Sequence, residues 1–318
     1  MLSITVGVTC KNSKGTIKNC IDSLLRLNYP KNRYKIFVVD AFSNDGTYDI
    51  LKEYGKKIRL EQFKSNIAGG HNFIIKHSKS DIVALTDADC VVDKNWLKEM
   101  IKPFDNKEVG ATTGLVKTPK NINKLQEIIG RELETRYDKF PEFVSRGPTM
   151  SLAFRTELGK KILFDENYAV AQETDWGYRF TKHHKMAYVP KAIVYHYHRA
   201  TWKNFFKQQL TYAKVVPRVY LKRHRTKIVG DYISKSYMPI QIALLYLAVL
   251  FALIGLFVPE VVFLFYVSAT ILFLSYIVHA LSLGKNFEDF VWFLCLFFVR
   301  NVAWNIGITI GLFNIRRD

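Results

Sequence analysis

Charge is nearly missing from one long stretch: between Ser236 and Gly284 the single Asp, Glu, Lys or Arg is Glu260. Soluble helices rarely stay free of charge for so long, so this region belongs in lipid. Acid is scarce elsewhere too, with 28 Asp+Glu against 46 Lys+Arg, a formal charge of +18. From Arg199 to Gly230 there are nine Lys or Arg and no acid. The 49% hydrophobic content excludes a disordered or collagen-like chain. The four cysteines, Cys10, Cys20, Cys90 and Cys295, form no CxxC pair, which excludes a zinc ribbon and a disulfide-stapled scaffold and fits reduced thiols. Met1 to Thr9 lacks a basic stretch leading into an apolar one, so no cleaved signal peptide is expected. A basic, apolar-rich chain calls for an anionic partner: a membrane surface, nucleic acid or a phosphorylated ligand.

The apolar runs Met238–Val258 and Val261–Leu283 hold 21 and 23 residues, each enough to cross about 30 Å of hydrocarbon, with Pro259-Glu260 as the turn. A third run, Phe290–Phe313, is interrupted by Arg300, Asn301 and Asn305. Its crossing is expected, although that would carry Arg316 and Arg317 outward, against the positive-inside rule. Ahead of these runs, Lys203, Lys207, Lys214 and Arg218 fall on one helical face with Trp202, Phe205, Phe206 and Leu210 interleaved, the pattern of a helix on an anionic leaflet. The neighbouring hairpin favours this reading over nucleic-acid binding. Three segments follow: residues 1–200, a basic interfacial stretch at 201–235, and a membrane region at 236–318 with two to three transmembrane helices.

Within the first segment, β-rich runs at Ser3–Thr9, Tyr34–Asp40, Ile58–Phe63 and Asp81–Thr86 alternate with helical patterns near Thr16–Leu27, Thr47–Tyr54 and Gly70–His77. This spacing predicts βαβ units and an α/β fold with a mostly parallel, Rossmann-like sheet. Ligands of such sheets bind beyond the carboxyl ends of the strands. Those ends are polar or acidic here: Thr9 to Asn12, Asp40 to Ser43, and Thr86-Asp87-Ala88-Asp89. Two carboxylates one residue apart suit Mg²⁺ or Mn²⁺ beside a diphosphate, although such a pair also arises in ordinary helix-capping loops.

Taken in order, Val38 to Thr47, Asn66 to Asn72, Asp87-Ala88-Asp89, and Gln172-Glu173-Thr174-Asp175-Trp176 to Arg179 resemble family 2 glycosyltransferases of the GT-A fold, over about residues 3–215. The resemblance implies a nucleotide-diphosphate sugar over the sheet edge. Thr9 and Asp40 would contact the nucleoside, Asp87 the ribose side, and Asp89 the metal and diphosphate. Asn72 belongs to the nucleotide-sugar loops, which it and Asp45 would organise. Some members use a histidine as a further metal ligand, which points to His196, with His198 in reserve. The family's Glu-Asp pair is replaced by Gln172-Glu173, so Glu173 stands where the base usually is, with Asp175 beside it. A longer carboxylate there is compatible with an acceptor phosphate that needs no strong base. Ser145 to Met150 resembles the acceptor-side loop, with Arg146 positioned to meet a lipid phosphate. A Gln-x-x-Arg-Trp motif is missing at Lys207 to Tyr212, which argues for transfer of a single sugar.

The expectation is therefore an inverting, metal-dependent transferase moving one sugar to an isoprenoid phosphate or lipid-linked glycan, multi-pass in an anionic cell membrane with its catalytic part cytoplasmic. The competing expectation is a non-catalytic membrane protein with a degenerate transferase domain.

Overall fold

The computed structural model describes residues 1–137, 140–223 and 235–315. The end of the basic stretch from His224 to Ser234, and Arg316 to Asp318, lie outside the described residues. In chain order the elements are β1 (Ile4–Cys10), α1 (Ile17–Leu25), β2 (Tyr34–Asp40), α2 (Thr47–Lys52), β3 (Arg59–Gln62), α3 (Ile67–His77), β4 (Ile82–Asp87), β5 (Cys90–Val92), α4 (Trp96–Ile101), β6 (Val109–Lys117) and α5 (Lys124–Tyr137). There follow β7 (Leu152–Arg155), α6 (Thr156–Lys161), α7 (Gln172–Phe180), β8 (Lys185–His196), α8 (Trp202–Pro217), α9 (Tyr237–Gly255), α10 (Val262–Leu283) and α11 (Phe287–Ile315). The chain divides into two compact units, residues 1–119 with 140–197, and residues 120–139 with 198–318.

The first unit is built on an eight-stranded sheet of order β3-β2-β1-β4-β7-β6-β8-β5. Strands β3, β2, β1 and β4 are mutually parallel, β7 is antiparallel to its neighbours, β6 and β8 are parallel, and β5 closes the edge antiparallel to β8. The sheet is buried on both faces, so its strands read as near-continuous apolar runs. Ile17, Ile21 and Leu24 of α1 cover Val6, Val8, Ile36 and Val38 on one face. Ile74 and Ile75 of α3, with Trp176 and Phe180 of α7, cover Phe37, Val39 and Leu85 on the other. From β1 the chain builds outward through β2 and β3, then returns to lay β4 on the opposite side. This change of direction opens a crevice at the carboxyl ends of β1 and β4.

The second unit is helical. Its apolar centre joins Leu125 and Ile128 of α5, Phe205 of α8, Leu272 and Tyr276 of α10, and Phe293 and Phe297 of α11. Helices α9, α10 and α11 are each long and apolar enough to cross a membrane. Helix α5 belongs to this unit, whereas the sequence suggested one continuous catalytic segment over 1–200. The reason is charge pairing: Asp289 of α11 meets Lys124 at 2.5 Å and also Arg131, while Glu132 meets Arg136 at 2.6 Å and Arg300 at 2.8 Å. Thr201 caps α8 by accepting from the Asn204 amide at 3.3 Å, and α8 packs along α11 with Trp202 stacked on Trp292. Lys203, Lys207 and Lys214 remain exposed on its other face. Phe205, expected to interleave with the basic residues at the leaflet, is buried in the apolar centre instead.

Candidate active site

Strand register brings the acidic and polar strand ends together. Thr9 of β1 lies opposite Asp87 of β4, and Cys10 lies opposite Asp40 of β2. After β4 the chain turns through Ala88 and Asp89 into β5, whose Cys90 lies opposite His196 of β8. That pairing sets the His196 Nε2 3.4 Å from Asp89 Oδ2, and the Tyr197 amide donates to the Asp89 carbonyl at 3.2 Å. His196 is thus the histidine whose ring meets Asp89, while the His198 carbonyl accepts from Gln126 within the helical unit.

Asp87 accepts a hydrogen bond from the Thr149 hydroxyl. Burial first, then the neighbouring Asp89 charge, push its carboxyl up to about 7, and Glu173 adds to that push while His196 opposes it. The Asp89 charge thus bears on Asp87, and the His196 imidazole stands beside Asp89. A hard divalent cation fits that donor set. Among the described residues no group of three His, Cys, Asp or Glu side chains is arranged to hold a metal.

Helix α7 separates its two acids. Glu173, in the first turn, is half-buried and its carboxyl is raised, chiefly by burial, with Arg146 pulling it back down. Arg146 is itself buried, donates to Thr174 Oγ1 at 3.0 Å and lies over the Tyr178 ring. A Cβ on Gly177 would stand 2.5 Å from the Arg146 Cβ, so only glycine lets α7 pack this close. Two residues on from Glu173, about 200° around the helix, Asp175 is fully buried and pairs with Arg179 at 2.8 Å. Asp175 is thus a core ion pair and not a catalytic group as expected, because the helical turn points it away from Glu173.

Asn72 is also a fastening residue. Its Nδ2 donates to the Phe164 carbonyl and Glu166 Oε1, and its Oδ1 accepts from the Phe164 amide, which occupies its polar atoms. Asn72 thus organises the loop around it, as its motif suggested, through the Phe164–Glu166 segment. Thr9 is half-buried with its hydroxyl 3.3 Å from His71 Nε2. Asp40 is fully buried and accepts from the Ser43 amide, the Ser43 hydroxyl and Gln62 Nε2. The Cys10 thiol also donates to Asp40 Oδ1 at 3.7 Å, so its carboxylate is largely engaged within the fold. Gly70 lets α3 approach β1, since a Cβ there would lie 2.7 Å from Thr9 Cγ2.

Three contributors were not assigned roles from the sequence. Thr149 lies in the loop likened to the acceptor side, but its contact is with Asp87, and Glu166, which holds Asn72, is marked by no local pattern. Phe42 follows Asp40 by two residues, 55% exposed and held at a φ of 56°. A bulky residue at positive φ is uncommon, and it presents an aromatic face at the carboxyl edge of the sheet.

Residues 5–166 match the family described as glycosyl transferase family 2. The chain is 23% identical over 347 residues to the probable glycosyltransferase YdaM of Bacillus subtilis (strain 168), covering 98% of this chain and 82% of that protein. It is 24% identical over 233 residues to the dolichyl N-acetyl-alpha-D-glucosaminyl phosphate 3-beta-D-2,3-diacetamido-2,3-dideoxy-beta-D-glucuronosyltransferase of Methanococcus voltae, covering 66% and 71%. The mannosyltransferase PcManGT from Pyrobaculum calidifontis, solved in complex with GDP-Man and Mn²⁺, superposes with a TM-score of 0.64 at 15% identity over 98% of this chain and 88% of that one. At that identity the likeness is one of fold.

Proposed function

The chain belongs to glycosyl transferase family 2, and from that premise we propose that this glycosyltransferase moves a single sugar, with inversion, from a nucleotide-diphosphate donor to an isoprenoid-linked acceptor in the membrane. The observation that carries the reading is the meeting of Asp89 with His196 beside Asp87, at the crevice where the strand order reverses.

Thr9 and Asp40 would hold the nucleoside, with Phe42 as an added face for the base and Asp87 on the ribose side. Asp89 and His196 would hold Mg²⁺ or Mn²⁺, which when bound supplies counter-charge to the diphosphate leaving group. Glu173 takes the proton of an acceptor hydroxyl. As the acceptor oxygen bonds to the anomeric carbon, the bond from that carbon to the diphosphate oxygen breaks, and one in-line displacement inverts the centre. An acceptor phosphate, already ionised, would ask less of Glu173. The Methanococcus relative, named for a dolichyl phosphate-linked acceptor, supports a lipid-linked substrate. The basic stretch Arg199–Lys227 supports a catalytic unit on the cytoplasmic side of a cell membrane whose leaflet is anionic.

Transfer from a panel of nucleotide sugars, with Mn²⁺ and total polar lipids, tests this reading. Asp89→Ala should lose activity by orders of magnitude while its thermal unfolding is unchanged. Undiminished turnover by that variant in excess EDTA would refute the metal assignment, and no transfer by the wild type from any donor would refute the reaction.

A further inference from the structure

Helix α11 has the length and composition of a membrane span, but its surroundings are charged. Near its start Asp289 pairs with Lys124 and Arg131 of α5. Eleven residues on, Arg300 is buried against Glu132 at 2.8 Å. Next, the Trp304 Nε1 donates to Gln209 of α8 at 2.9 Å. Gly311 then lies directly on α8, where a Cβ would stand 2.3 Å from the Lys214 carbonyl oxygen. Together α5 and α8, the latter from Trp202 stacked on Trp292 onward, accompany α11 from Asp289 to Gly311, about 33 Å of helix axis, longer than the ~30 Å hydrocarbon core.

Neither companion suits hydrocarbon. Helix α8 exposes Lys203, Lys207 and Lys214, and α5 keeps Lys124 and Glu127 partly exposed, at 26% and 44% of their side chains. Charged side chains facing lipid are costly. Helix α11 also meets the hairpin, where Asn301 donates to the Gln241 carbonyl and the Tyr276 hydroxyl, and the Tyr246 hydroxyl donates to the Asn305 carbonyl. On the side left over it exposes Phe287, Val291, Phe298, Ile306, Ile310 and Phe313, an apolar stripe running nearly end to end. A polar flank on one side and an apolar stripe on the other, along the whole length, is the pattern of a helix in the interfacial plane.

We propose that α11 lies along the membrane surface and does not cross it, its Phe287–Phe313 stripe at the boundary of acyl chains and headgroups and the α8 lysines among anionic headgroups. The inference rests on the membrane reading above and leaves the α9–α10 hairpin as the part that enters the bilayer. Charge along the sequence agrees. Two crossings return Lys285 to the side of Arg199–Lys227 and keep Arg316 and Arg317 there, whereas a third would export both arginines.

The test uses the full chain in sealed proteoliposomes carrying Cys295→Ser, since Cys10, Cys20 and Cys90 are buried. Single cysteines are placed by Lys285→Cys and Asp318→Cys and modified with a membrane-impermeant maleimide added outside, or to both faces. Modification of both positions from the same side is expected, and modification from opposite sides overturns the proposal. A nitroxide on Phe298→Cys, near the middle of α11, reads depth independently. A depth of about 5–10 Å below the headgroups is expected, and a label at the bilayer centre overturns it. Glu260→Cys, in the hairpin turn, reports separately on the membrane reading. If it shares the side of Lys285→Cys the hairpin does not cross, whichever result the α11 positions give.

Discussion

Glu173 and Asp175 show how a spacing of two on a helix gives neighbours in sequence opposite fates. One is half-buried, its charge felt by Asp87, and the other is locked to Arg179 in the core. Arg146, expected at the acceptor, stands over α7 and draws the Glu173 carboxyl downward against the effect of burial. A base works only when ionised, so with Glu173 in its proposed role activity toward a hydroxyl acceptor should fall as pH drops through its raised pKa. Arg146→Gln removes the opposing charge and should move that acid limb to higher pH with the alkaline limb unchanged. Initial rates across pH decide this, and an unmoved acid limb would return Arg146 to a purely structural role. The acidic strand ends were legible from sequence because polar residues closing apolar runs must fall at one edge of a parallel sheet. Asp175 was misread because motif spacing says nothing about which side of a helix is buried. Thr149 was unreadable because its contact with Asp87 depends on tertiary register.

At the level of elements, the strands and the hairpin were legible from periodicity and apolar length, while α5 was not. Its sequence is polar, and its reason to be helical lies in partners more than 150 residues away. Burial alone would raise the Glu132 carboxyl, but Arg136 and Arg300 outweigh it and hold it at about 2. A depressed carboxylate contributes stability that is full above its unfolded pKa, near 4.5, and is lost as pH falls through about 2. Glu132→Gln should therefore destabilise the helical unit at neutral pH by about 3–5 kcal/mol, since it leaves two guanidinium groups uncompensated. The deficit against wild type should shrink on acidification below about pH 4. Thermal unfolding in detergent measures both. Gly307 and Gly311, at the spacing that brings transmembrane helices together, are here taken up by α8 of the same chain, against Ala213 and Lys214.

For the whole molecule, the proposed membrane reading implies two attachments that differ in kind. The hairpin holds by apolar burial, which salt does not weaken, while the exposed lysines of α8 act through charge, at about 1 kcal/mol each near an anionic surface. In vesicles, activity should rise with the anionic lipid fraction, and that gain should fade between low and high salt while the protein stays in the membrane pellet. Release of the protein by salt alone would mean that the hairpin does not anchor it.

Helix α5 interrupts the first unit in sequence, since residues 120–139 belong with the C-terminal helices and residues 140–197 return to the sheet. The ribosome therefore completes the sheet while α5 has no partner. Lys124 leaves the tunnel 165 residues ahead of Asp289, a wait of about 10–30 s at ordinary rates of synthesis. The Asp289 pairing of α5 can form only once α11 has been made, so the helical unit closes well after the sheet.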